Sequence, residues 1–159
     1  MAIIIGAGGA ARAVVYGLKK EGAKITIVNR TEDKAREIAE EFKVSFDKIE
    51  NIKSLARQND IIINTTSLGM TPFEDGCALK EDELPEGKIV MDVVYKPVIT
   101  KLIKLAQKKK CRTITGDRML IYQAVRQFEL WTGINPGFKE MEKELDNKEE
   151  KKIIEESLK

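Results

Sequence analysis

An open, doubly wound parallel α/β sheet of about six strands is the fold class this sequence predicts. Three observations predict it. Short apolar runs suited to buried strands alternate with stretches whose apolar residues recur at helical spacing. The first junction, Ile5-Gly6-Ala7-Gly8-Gly9-Ala10-Ala11, leads a strand through a glycine turn into a helix. At 159 residues, 42% of them apolar, the chain is long enough for one ordinary domain with a real core.

Ile3, Ile4 and Ile5 form the first strand, and Val14 and Leu18 continue the apolar face of a helix over residues 10–21. Residues 24–28 read as the second strand and 31–42 as the second helix. A weak third strand over 44–46 and a short helix over 48–57 follow. Ile61-Ile62-Ile63-Asn64 is a buried strand, and a long polar loop then runs from Thr65 to about Gly87. The next strand covers 88–94. Ile99, Leu102, Ile103 and Ala106 place a helix over 98–109, and 112–115 is the last strand. A helix over 117–132 stops at Gly133, Asn135 and Pro136. Beyond it, Lys and Glu dominate and predict a charged C-terminal helix with pairs such as Glu144 with Lys148. The expected organisation is a nucleotide-binding domain over 3–136 and a helical tail over 137–159.

The glycine turn carries the first chemistry. Gly6 can leave the strand at positive φ. Gly8 lacks a Cβ, so a pyrophosphate can approach the backbone, and Ala11 is small enough for close helix–strand packing. The helix that starts near Gly9 turns unpaired N–H groups and the positive end of its dipole toward an anion. This is a Rossmann-like dinucleotide loop. At the end of the second strand, where an NAD site usually places an acid for the ribose hydroxyl, the chain has Asn29-Arg30-Thr31. Arg30 suits a phosphate through charge and a planar fork of donors. Thr31 can cap the following helix or donate its hydroxyl, and Lys34 lies one turn further on the same face. NADP is therefore expected over NAD.

Composition excludes several classes. A formal net charge of +2 gives no broad case for nucleic acid or a membrane surface. No apolar segment is long enough to span a bilayer. There is no histidine, and the two cysteines, Cys77 and Cys111, suggest neither a disulfide framework nor a metal cluster. They fit a reducing cytoplasm.

Further motifs point to one family. Asn64-Thr65-Thr66-Ser67-Leu68-Gly69-Met70 follows one strand and Met91-Asp92-Val93-Val94-Tyr95-Lys96-Pro97 ends another. Gly116-Asp117-Arg118-Met119-Leu120-Ile121-Tyr122-Gln123-Ala124 opens a helix that Phe128-Glu129-Leu130-Trp131-Thr132-Gly133 closes. With the glycine loop and Asn29-Arg30-Thr31, these resemble the C-terminal, NADP-binding domain of shikimate dehydrogenase over residues 3–136.

The resemblance implies specific roles. Gly6, Ala7, Gly8, Gly9 and Ala10 would cradle the pyrophosphate. Asn29, Arg30, Thr31 and Lys34 would surround the adenosine and its 2′-phosphate, and Thr66 and Ser67 would lie along the cofactor. Val93, Gly116 and Met119 would border the nicotinamide, and Tyr95 and Gln123 would reach toward shikimate. The implied reaction is NADPH-dependent reduction of 3-dehydroshikimate to shikimate. In the family the catalytic lysine and aspartate belong to an N-terminal substrate domain, which would precede Ile3 and is expected to be absent here. No residue of this chain matches that pair, so the chain alone is expected to be close to inactive, to need that domain for substrate, and to be prone to self-association. A stand-alone NADP-binding module acting with a separate chain, and a quinate dehydrogenase domain, remain alternatives. A glutamyl-tRNA reductase domain or a methyltransferase fits the motifs less well.

Overall fold

The structure, a computed structural model, describes residues 1–144. The expected Glu144–Lys148 pair and the rest of the tail lie outside the described residues. In chain order the elements are β1 (Ala2–Ile5), α1 (Gly9–Lys20), β2 (Ile25–Asn29), α2 (Glu32–Phe42), β3 (Ser45–Lys48), a 3-10 turn (Ile49–Asn51), α3 (Ile52–Gln58), β4 (Ile61–Asn64), β5 (Ile89–Asp92), α4 (Lys101–Lys108), β6 (Arg112–Ile114) and α5 (Gly116–Thr132). They divide into two compact units, Met1–Asp117 and Arg118–Lys159. The expected boundary after residue 136 falls inside the second.

The first unit holds a six-stranded sheet in the order β3-β2-β1-β4-β5-β6, with every neighbouring pair parallel. The chain winds outward from β1 to β3, then returns to the other side of β1 to start β4. That reversal opens a crevice beyond the carboxyl ends of β1 and β4, where open α/β sheets bind ligands.

The period of two along β1 explains why all of its side chains are buried. Ile4 packs with Ala11 and Val15 of α1 and Ala35, Ile38 and Ala39 of α2. Ile3 and Ile5 point the other way, into a layer with Ile52, Leu55 and Ala56 of α3 and Leu102 and Ala106 of α4. The long loop after β4 contributes Leu79 and Leu84 to this second layer. Truncating one of these isoleucines to alanine would cost about 2–5 kcal/mol.

Three boundaries differ from the sequence expectation. The edge strand β3 runs over Ser45–Lys48, so Lys48 ends a strand rather than starting a helix. Strand β5 stops at Asp92 because the Val94 N–H donates to Asp92 Oδ1, 3.1 Å away, instead of extending the ladder. Helix α4 begins at Lys101, since Thr100 in extended conformation accepts the Ile103 N–H at 3.2 Å as an N-cap.

The second unit contains the rest of α5 and a helix over 138–144. Within it, the Tyr122 and Phe138 rings lie 4.6 Å apart, and Arg118 sits over Phe138 and pairs with Glu142 at 3.0 Å. Leu130 and Trp131 are 70% and 78% exposed. Among the described residues no helix is long and apolar enough to cross a membrane.

Candidate functional site

A cleft of about 710 Å³ lies where the strand order reverses, between the ends of β1, β2 and β4. The turn out of β1 supplies Gly6, Ala7 and Gly8; the end of β2 and first turn of α2 supply Asn29, Arg30, Thr31 and Lys34; the segment after β4 supplies Thr66 and Ser67. These are residues the sequence singled out, drawn from three separate stretches of chain.

The two leading glycines are required for different reasons. Gly6 has φ +113°, and a Cβ there would stand 2.7 Å from Thr65 Oγ1 and 2.9 Å from Thr66 Cγ2. The chain itself therefore demands glycine. Gly8 is extended, with φ −106°, and a Cβ there would meet nothing within 4 Å. The space over Gly8 is open to a ligand. Gly8 is also the N-cap of α1 and has no side chain to bond the helix's first N–H groups, while the Arg12 N–H already bonds to Gly8 O at 3.2 Å. Gly9 and Ala10, the first residues of α1, follow directly, and Ala11 is fully buried against the sheet.

Beside this helix end, Arg30 and Lys34 make no ion pair among the described residues. Asn29 Nδ2 donates to Thr31 O at 2.9 Å and shapes the turn that presents them. Thr31 occupies the N-cap position of α2, but its hydroxyl makes no capping hydrogen bond. A glycine floor at an uncapped helix end, flanked by two uncommitted cations, suits a phosphorylated ligand.

The other side of the cleft rests on a buried hydrogen-bonded chain. Asp92 is fully buried. Its Oδ2 accepts the Thr100 hydroxyl at 2.6 Å, and its Oδ1 accepts Asn64 Nδ2 at 2.9 Å and the Val94 N–H. Asn64 Oδ1 in turn accepts both the N–H and the hydroxyl of Thr66, at 3.0 and 2.7 Å. Thr66 Oγ1 accepts the Leu68 N–H at 3.2 Å. Burial pushes the Asp92 carboxyl above the ordinary carboxylate value, while its three hydrogen bonds pull the other way. Thr66 thus has a structural bond set, whereas the Ser67 side chain is exposed.

The remaining expected residues lie elsewhere. Gly116 packs against the end of β5, where a Cβ would overlap the carbonyl oxygens of Val93 and Val94. Val93 and Gly116 are therefore together, but neither lines the 710 Å³ cleft. Tyr95 is 48% exposed and also lies outside that lining. Met119, half-buried, and Gln123, exposed, belong to the second unit. Sequence reasoning missed Asn64, Asp92 and Thr100 as a unit, and Ile49 and Ala78 as apolar lining. The available signal was a polar residue ending each of two apolar strands, Asn64 and Asp92.

Comparison with known proteins agrees on family and fold. The family model described as shikimate / quinate 5-dehydrogenase matches residues 1–83, and that of the shikimate 5'-dehydrogenase C-terminal domain matches 118–145. The shikimate dehydrogenase (NADP(+)) of Methanosarcina mazei is 41% identical over 148 residues, spanning 89% of this chain and 53% of that protein. The shikimate 5-dehydrogenase of Thermus thermophilus, solved with NADP(H) and shikimate, superposes with TM-score 0.81 at 34% identity, over 89% of this chain and 52% of that one. A quinate dehydrogenase from Corynebacterium glutamicum, solved with NAD, gives TM-score 0.83 at 32% identity, over 88% and 52%. The chain spans about half the length of the curated relatives it matches. With its family model covering residues 1–83, which hold β1 to β4 and the glycine turn, this chain belongs to the shikimate/quinate 5-dehydrogenase family.

Proposed function

We propose that this chain is the NADP-binding half of a shikimate dehydrogenase, the NADPH-dependent oxidoreductase that reduces 3-dehydroshikimate to shikimate in aromatic amino-acid biosynthesis. The observation that carries this reading is the uncapped α1 end over open Gly8, sharing one cleft with Arg30 and Lys34. Gly6, Ala7, Gly8, Gly9 and Ala10 hold the pyrophosphate against backbone N–H groups. Asn29, Arg30, Thr31 and Lys34 take the adenosine and its 2′-phosphate, and Thr66 and Ser67 lie along the cofactor. Val93, Gly116 and Met119 border the nicotinamide; Tyr95 and Gln123 reach the substrate. When bound, NADPH supplies the reducing equivalents that turn the ketone into an alcohol. The strongly basic side chains lining the cleft are Arg30 and Lys34, both assigned to phosphate. No residue of this chain is assigned to proton transfer to the substrate, so the 159-residue chain alone turns over little substrate.

The quinate dehydrogenase relative, with NAD bound, marks the second reading. Arg30 favours the first, because a guanidinium fork gains little from a ribose hydroxyl and much from a phosphate. Calorimetric titration with NADPH and NADH tests the cofactor assignment. NADPH binds more tightly, and Arg30→Ala weakens it by about tenfold or more while leaving NADH within about twofold. Equal affinities in the unaltered chain would refute the NADP assignment.

The half-buried, unpaired thiols of Cys77 and Cys111 support a cytoplasmic location. The exposed Leu130 and Trp131 support self-association of the chain. Light scattering reads its mass directly, and a monomer at all concentrations would refute that part.

A further inference from the structure

The displaced edge strand has a consequence for cofactor choice. Because β3 runs to Lys48, this lysine ends a strand at the same carboxyl end of the sheet as Asn29, its register partner on β2. Lys48 lines a shallow recess of about 350 Å³ with Asn29, Arg30, Glu32, Ile49 and Glu50. Asn29, Arg30 and Ile49 also line the main cleft, so the recess continues it on the outer side of Arg30.

We propose that Lys48 is a specificity-determining residue for NADP, an outer cation that completes the 2′-phosphate site with Arg30 and Lys34. The inference rests on the NADP reading above. Lys48 is exposed and makes no ion pair among the described residues, as with Arg30 and Lys34. The acid nearest in sequence is already engaged: Asp47 Oδ1 accepts the Lys48 N–H at 2.7 Å and Asn51 Nδ2 at 2.8 Å, which fixes the turn after β3. Glu32 is paired with Arg36 at 3.0 Å. Glu50 is the one carboxylate of the recess with no ion pair among the described residues. It opposes a phosphate there. A dianionic 2′-phosphate placed between Arg30 and Lys48 would meet cations on both sides, whereas the hydroxyl of NAD would gain nothing from the second.

Titrations of the whole chain with NADPH, NADH and 2′-AMP test this. Lys48→Ala should raise the Kd for NADPH and 2′-AMP about fivefold and leave NADH within about twofold, the difference shrinking as salt is added. Lys48→Arg should restore NADPH binding, and Glu50→Gln should tighten it about twofold. Circular dichroism confirms that each variant is folded, and Lys48→Gln, which removes the charge and keeps a side chain of similar length, is read by the same criteria if Lys48→Ala is not folded. Equal weakening of NADPH and NADH by Lys48→Ala, or no change in either, would overturn the role of Lys48. Failure of the unaltered chain to prefer NADPH would instead overturn the underlying NADP reading.

Discussion

The two sides of the cleft are built on opposite plans. On the β4–β5 side, polar side chains bond one another: Thr100 to Asp92, Asp92 to Asn64, Asn64 to Thr66. On the β2–β3 side, Arg30, Lys34 and Lys48 end in charges that pair with no acid among the described residues. A network satisfied within the protein fixes where backbone lies but has little left to offer a ligand. Unpaired cations offer charge and contribute little to the fold, since exposed ion pairs are worth about 0–1 kcal/mol even when made. Substitutions on the first side should therefore register as lost stability, and on the second as lost affinity alone. The glycine turn lies between them and carries one residue of each kind.

Asp92→Ala should have the largest effect. It leaves the Thr100 hydroxyl, Asn64 Nδ2 and the Val94 N–H without their acceptor in a buried place. At about 1–3 kcal/mol for each orphaned group, and less than additively, a loss of about 3 kcal/mol or more is expected in urea unfolding. A loss below about 1 kcal/mol would show that the network does not hold this side of the cleft. The carboxyl also sets a pH dependence. Burial raises its folded value above the ordinary 3.8, so the folded state keeps this proton to higher pH than the unfolded chain does. Between those two values the folded state binds more protons, and the Asp92 contribution falls as pH rises through the folded value. Above both values it is constant. Asp92→Asn should remove that part of the slope, read from urea midpoints across an acid pH series.

Gly6→Ala comes next. The methyl group must enter a conformation with φ +113° and the space held by Thr65 and Thr66. Strain of this kind costs about 1–3 kcal/mol, and relieving it would push Thr66 away from Asn64. Both stability and dinucleotide affinity should fall. An alanine variant as stable as the parent would show that the turn relaxes freely, contrary to the tie between β1 and the β4 loop made by Thr65 Oγ1 and Ile5 O at 2.9 Å.

This division also explains what the sequence disclosed. The alternating apolar runs are enough to place six strands, because burial on both faces leaves a local mark in Ile3-Ile4-Ile5 and Ile61-Ile62-Ile63. The glycine turn and Asn29-Arg30-Thr31 were legible because their chemistry is contained in a few consecutive residues. The Asn64–Asp92–Thr100 network was not, because it depends on Asn64 lying opposite Asp92 in the β4–β5 register, across a gap of 28 residues. Lys48 was misplaced for a related reason. Ser45-Phe46-Asp47-Lys48 has one apolar residue in four, so only pairing with β2 makes it a strand.

Gly8→Ala should change the fold least. Its backbone is extended and the added methyl would meet nothing within 4 Å, so stability should stay within about 0.5 kcal/mol of the parent. The methyl group would occupy the space over the amino end of α1, where the pyrophosphate approaches backbone N–H groups. Affinity should fall about tenfold, and by the same factor for NADPH and NADH, because both carry that pyrophosphate. Arg30→Ala and Lys48→Ala should instead act on NADPH alone. Titration of all three variants with both dinucleotides therefore separates the part of the cleft that recognises any dinucleotide from the part that recognises the extra phosphate. If Gly8→Ala discriminated between the cofactors, or cost as much stability as Gly6→Ala, the open space over Gly8 would belong to the protein's own packing and not to a ligand.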